Sequence, residues 1–386
     1  MMGKKRSCRS VIFILFLALA VLGAAALAVN PTSAQSLRSG AVYVMTNQVA
    51  NAVAVFKRAP DGSLTLSGMF STGGSGNPVA EPGDPPTDPL ASQGSLILSD
   101  DNRFLFAVNA GSNEFSVLSI ERSGLNLVDK VASGGTRPIS LTLHKNLLYV
   151  LNEGGTPNIT AFLVNNQGKL SPLPGSTRTL AGGSAADPAQ VGFSPDGDLI
   201  AVTEKMTNII DTYTFGAGEF ASGPIPNPSH GLTPFGFAYD RRGHMIVSEA
   251  FGGAPNQGAA SSYTVSEDGT LNVVSGSVRD FQTAACWVVI TNSGRYAFVS
   301  NTGSGAVSSY EIGPGGSLSL RNSAAGNTGP GSAPIDMALD NGSRYLYVLA
   351  AGLQSVASFR VEADGSLTLI GVTGGLPFGA QGIAAQ

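Results

Sequence analysis

The closing ten residues, PFGAQGIAAQ (Pro377–Gln386), decide the fold. They form an apolar segment of the kind that elsewhere leads through a turn into a longer strand, but here nothing follows. At the other end, AVYVMTN (Ala41–Asn47) begins a repeat unit with no leading segment before it. The tail is therefore expected to supply the missing strand of the first unit, tying a ring shut and hiding an edge that would otherwise seek partners.

The AVYVMTN pattern recurs as FLFAVN, LLYVLNE, LIAVTE, HMIVSE, YAFVSN and YLYVLAA, with terminal positions Asn47, Asn109, Asn152, Glu204, Glu249, Asn301 and Ala350. A spacing of roughly 50 residues is that of propeller blades. Each copy runs into a second apolar strand, a tight turn and a third strand, most clearly at APDGSLTL, SEDGTLNV, GPGGSLSL and EADGSLTL. Asp-Gly and Gly-Gly supply the positive φ that two-residue hairpin turns need, so the strands are antiparallel. A further apolar segment precedes most copies through its own turn, as in VGFSPDGDL and VVITNSGRY. The count gives an all-β, seven-bladed β-propeller with four antiparallel strands per blade, a single domain over residues 38–386, its first blade closed by the C-terminal strand. A β-sandwich leaves the seven-fold period unexplained, and an open solenoid leaves the split first unit unexplained.

Ahead of the ring, Lys4, Lys5, Arg6 and Arg9 precede an unbroken apolar run from Val11 to Val29, with small residues at Thr32 and Ala34. This order reads as an export signal over residues 1–34, cleaved after Ala34; an uncleaved anchor is the alternative, since the run is just long enough to span a bilayer. Cleavage leaves no membrane span and a mature chain that is secreted, periplasmic or held at the cell envelope. Losing four basic groups and no acid takes the formal charge from −4 to −8, which disfavours nucleic acid as a partner. Cys286 is then the one remaining cysteine, so no disulfide forms within the chain and stability comes from packing. A monomer is expected.

The repeats resemble those of lactonase-type seven-bladed propellers, the family of bacterial 6-phosphogluconolactonase and fungal carboxymuconate cyclase, and the YVMTN and YVLNE strands also resemble the YVTN repeats of surface-layer propellers. The resemblance implies a catalytic His before an SPDG turn, an Arg-His pair opening a later blade and a Glu ending that blade's next strand. On this sequence these positions hold Ala189, Cys286, Trp287 and Asn301. A lactone hydrolase needs a group to activate water and donors to steady the oxyanion, and none of the four supplies the family's group.

Inter-blade loops and the turns between second and third strands gather on one face of a propeller, here called the top, where ligands usually bind. The same innermost position around the ring reads Ser95, Ser140, Gln190, Gly236, Trp287 and Asp336, with the seventh near Gly379. Trp287 can stack on a sugar or aromatic ligand, or plug the channel as a core residue. Cys286 reads as an inert buried thiol, since no base is placed beside it. Glu153, Glu204 and Glu249 end consecutive strands, and His230 lies in NPSHGLTPFG between the blades bearing the last two. One imidazole among carboxylates can do acid/base work or hold a divalent cation, although this spacing follows the blade repeat and the carboxylates can equally cap backbone N–H groups. Catalytic candidates are Glu204, Glu249 and His230; ligand-binding candidates are Trp287, Asp336, Gln190, Asn301, Glu153 and Cys286; a metal ligand set is not specified. His144 and His244 fall in hairpins on the opposite face, read as solvent-exposed.

NPVAEPGDPPTDPL (Asn77–Leu90) is a Pro-rich, acidic insertion in a top-face loop, read as a lid, a partner-recognition arm or a disordered excursion. The chain carries no G-x-S-x-G, H-E-x-x-H, P-loop or zinc cysteine pair. The expected function is binding of a small polar molecule, or of an extracellular or envelope protein, in the top-face funnel. The alternatives are lactone hydrolysis by a different carboxylate and His set, or a cell-envelope scaffold.

Overall fold

The computed structural model describes residues 40–81, 83–216 and 220–386, so residues 1–34, expected to be an export signal, lie outside the described residues. Among these, no helix is long and apolar enough to cross a membrane.

Seven antiparallel sheets form the blades. Six run consecutively from inner to outer strand, and the remaining one joins the two ends of the chain: Gln381–Ala385 is innermost, followed by Gly40–Met45, Ala52–Arg58 and Leu64–Ser71. Val42 pairs with Ala385 and Val44 with Ile383, so the tail closes the first blade as the sequence predicts. Blade three alone has a split outer edge, with Leu170–Pro172 and Arg178–Thr179 both pairing with the same inner neighbour.

Second strands such as Phe104–Asn109, Leu199–Glu204, Tyr296–Asn301 and Tyr345–Ala350 are buried along their whole length. Blades pack face to face around them, so both faces are covered and the sequence is continuously apolar instead of alternating. Outer strands such as Leu64–Ser71 alternate between half-buried and exposed beyond a buried first residue, as half-covered strands should. Gly62 shows why the hairpin turns are specific: its φ is +89°, and an added Cβ would lie 2.5 Å from the ring of Tyr345 in the adjacent blade. Tyrosines stitch neighbouring blades, with Tyr345 donating to Pro60 O (2.8 Å), Tyr347 to Gly62 O (3.1 Å) and Tyr213 to Thr179 O (3.1 Å).

A β-bulge interrupts the start of the innermost strands, with register shifts at Pro138/Ser140, Pro188/Gln190, Pro234/Phe237, Ala285/Val288 and Ile335/Met337. These bulges re-aim side chains at the mouth of the channel. In the closing strand the unpaired residue is Gly382, between Gln381 and Ile383, which corrects the expectation of Gly379. The two hairpin histidines are also less exposed than expected. His144 is half-buried beside the Phe193 ring, and half-buried His244 pairs through Nδ1 with Asp240 Oδ2 at 2.8 Å.

Candidate functional site

The end of the insertion and the three residues after it fill the top of the channel. Asp88, Leu90, Ala91, Ser92 and Gln93 are all buried, and the carbonyls and side chains of Thr87–Gln93 are held by distant parts of the ring. Gln381 donates to Thr87 O (3.3 Å), Arg137 to Pro89 O (2.7 Å), Lys205 to Ala91 O (2.9 Å), and Trp287 Nε1 to Ser92 O (3.0 Å). Gln93 presents its amide to the backbone of Val288, donating to O (2.9 Å) and accepting from N (3.1 Å), while its own N–H reaches Ala189 O (3.1 Å). Gly236 makes room: a Cβ there would lie 2.1 Å from Gln93 Oε1. The segment is an ordered plug.

This explains the Cys-Trp pair. Trp287 has no exposed surface, packs against Phe235 at 4.8 Å between ring centroids, and spends its one donor on the plug. Cys286 is buried beside it, and burial pushes its thiol well above the ordinary range, leaving no thiolate for attack.

Glu204, Glu249 and Asn301 are fully buried and do not share one hollow. Strand-end side chains turn toward the loop arriving from the preceding blade, because its N–H groups have no other partner there. Glu204 accepts from Gly182 N (3.1 Å) and the Thr207 hydroxyl. Glu249 accepts from Gly231 N (2.9 Å), Ser277 Oγ (2.7 Å) and the Ser261 hydroxyl. Asn301 donates to Ser308 Oγ (2.8 Å), which itself donates to Asp280. His230 is exposed, its Nδ1 3.0 Å from Ser277 Oγ, so a hydrogen-bonded chain links it to Glu249. Beside Glu204, burial and then the Glu204 carboxyl push Asp211 upward, and Asp211 Oδ1 meets no donor.

Sequence reasoning missed the charges that anchor the plug. Lys205 is buried, 3.1 Å from Asp187 and 5.4 Å from the Phe235 ring centroid. Burial works against its charge, but Asp187, Glu153 and Asp84 more than offset this and hold it above its usual value. Arg137 bridges Glu81 and Glu153, each at 3.1 Å. Glu153, a ligand-binding candidate, thus belongs to the anchor, and burial pushes its carboxyl upward despite both cations. The usable signal was the acid content of the insertion, three carboxylates entering a mostly apolar ring and requiring cations to meet them.

Below the plug the channel remains open as a cavity of about 450 Å³. Asp336 and Gln190 both line it. Gln190 repeats the device of Gln93, donating to Phe237 O (3.0 Å) and accepting from Phe237 N (2.6 Å). Burial raises Asp336 to about 7 and Asp88, in the plug, to about 8. Their folded forms hold protons that the unfolded chain releases above about pH 4. Unfolding therefore sheds protons, and the unfolding free energy should fall as pH rises from about 4 toward 8, then level off. Urea midpoints across that range check this; a rise with pH would contradict it.

The lactonase model for seven-bladed β-propellers matches residues 36–180 and 246–366. The chain belongs to the lactonase family of seven-bladed propellers. Solved structures agree at the level of the fold. This lactonase-family chain is 17% identical to a Bacteroides fragilis protein with a provisional 6-phosphogluconolactonase assignment, over 92% of this chain and 100% of that one, at a TM-score of 0.66. It is 16% identical to the periplasmic gluconolactonase of Pseudomonas aeruginosa (89% and 99% covered, TM-score 0.66) and 16% identical to a Lactobacillus plantarum protein (90% and 100%, TM-score 0.71). No curated protein matches the chain. Within this lactonase-family propeller, the plug bonds to Ala189 and Trp287, two of the positions where the family resemblance puts catalytic groups.

The rim around the plug is apolar. Val49, Met206, Leu232, Phe281, Leu353 and Phe378 are exposed large hydrophobic residues, and all lie in second-to-third-strand turns or inter-blade loops, hence on the top face. Glu81 is 53% exposed and Asp187 34% exposed among them, whereas the cations they face are buried.

Proposed function

We propose that this exported lactonase-family propeller acts by binding and not by lactone hydrolysis, and that its partner is an extracellular or envelope protein docked on the top face. The observation that carries this reading is the plug: the chain's own Ser92 and Gln93 occupy the mouth of the channel that a substrate would need. The apolar rim interspersed with exposed carboxylates suits a partner surface that is apolar and basic. The mature protein, tested on a lactone panel that includes 6-phosphogluconolactone with and without divalent ions, should turn over nothing above the uncatalysed rate. A Phe281→Ser, Phe378→Ser double variant should keep the unaltered melting temperature, since both rings are exposed, and lose its envelope partner.

One observation favours hydrolysis as the second reading. His230 is accessible and backed through Ser277 by Glu249, an orientation that suits a general base. Lactone turnover that disappears in His230→Ala would establish it and end the binding-only account.

A further inference from the structure

The axial cavity lies beneath the plug and apart from the rim, with Gln93 of the plug in its wall. Ile97, Leu141, Phe193, Phe237, Met337 and Ile383 line it beside polar groups that make up the larger share of its surface, with Thr142 and Tyr239 among the lining residues. The amides of Gln93 and Gln190 face it, each giving one N–H and its oxygen to a neighbouring strand. Asp336 differs. It is 4% exposed, and its oxygens accept only from Met337 N (2.8 Å) and Ile383 N (3.3 Å). No basic group among the described residues acts on it; only burial and those two N–H groups do. Its backbone sits at φ +41°, in the left-handed region that favours glycine, at the bulge that re-aims the strand.

We propose that this cavity binds a small organic ammonium ion, with the charge against the Asp336 carboxylate, which gives up its proton as the cation binds. An anion would meet the carboxylate. A cation supplies the counter-charge that the fold omits, and the rings of Phe193 and Phe237 suit its contact with aromatic faces. The volume lies in the range of small-molecule sites.

Calorimetric titration of the mature protein with benzylammonium, and with benzyl alcohol as its neutral counterpart, tests this independently of the partner and hydrolysis readings. Benzylammonium should bind about ten-fold or more tightly than benzyl alcohol, the minimum for a desolvated ion pair. Asp336→Asn keeps the hydrogen-bond acceptor, tolerates the positive φ and should abolish that preference. Equal affinity for the two probes, no binding of benzylammonium at about 10 mM, or an undiminished preference in the Asn variant would overturn the proposal. The two-probe comparison on the unaltered chain decides the matter even where the variant does not fold.

Discussion

A chain shortened to end at Ala380 is expected to lose monomeric folding altogether. The missing strand carries the pairs Val42–Ala385, Tyr43–Ala384 and Val44–Ile383, and it buries Ile383, Ala384 and Ala385 against the ring. Its removal strips Asp336 of the Ile383 N–H and deprives Arg58 of the Gln386 carbonyl, leaving a buried guanidinium whose remaining carboxylate, Asp340, is 4.0 Å away. Gly40–Met45 would become a bare apolar edge, which pairs readily with another chain. Size-exclusion chromatography should show aggregates or exchanged oligomers in place of a monomer. A sharp monomeric melt close to that of the full chain would mean that the ring does not need its clasp.

Trp287→Ala is the second large effect. Truncating a fully buried aromatic side chain typically costs about 3–5 kcal/mol, and this one also leaves the Ser92 carbonyl without its donor. Against a total stability of about 5–15 kcal/mol, that is a large fraction. Urea unfolding should show the loss, and limited proteolysis should begin cutting within residues 77–93 as the plug loosens. A loss under about 1 kcal/mol would place the indole in solvent, where a ligand could meet it. Trp287→Phe should recover part of the packing without the hydrogen bond.

The ring was readable because its information is local. Apolar runs ending in Asn or Glu and Asp-Gly turns at a fixed period specify strands and hairpins residue by residue, and the unpartnered Pro377–Gln386 segment specified closure. The site was less readable because its determinants are distant. Ser92 is fixed by Ile139 and Trp287, Ala91 by Lys205, and Gln93 by Ala189 and Val288, none of which shares a spacing rule with the insertion. The strand ends at Glu204 and Glu249 were located correctly, although the first strand stops at Met45 and the third-blade strand runs on to Gly154, but position along a strand does not say which way a terminal carboxylate turns. Glu204 and Glu249 turn into loop amides, the alternative weighed beside catalysis. Asp336 and Gln190 do reach one hollow, the channel beneath the plug and not the funnel above it.

The two ends of the ring touch: a Cβ built on Gly40 would lie 2.0 Å from Gln386 O. The strands they begin and finish run antiparallel side by side, so a pull on both ends loads their hydrogen bonds one after another and not together. The joint resists heat, because melting it exposes buried surface, yet it should peel like a zipper at modest force. Stretched between two anchors, this molecule would give way first at its clasp, with the other six blades intact.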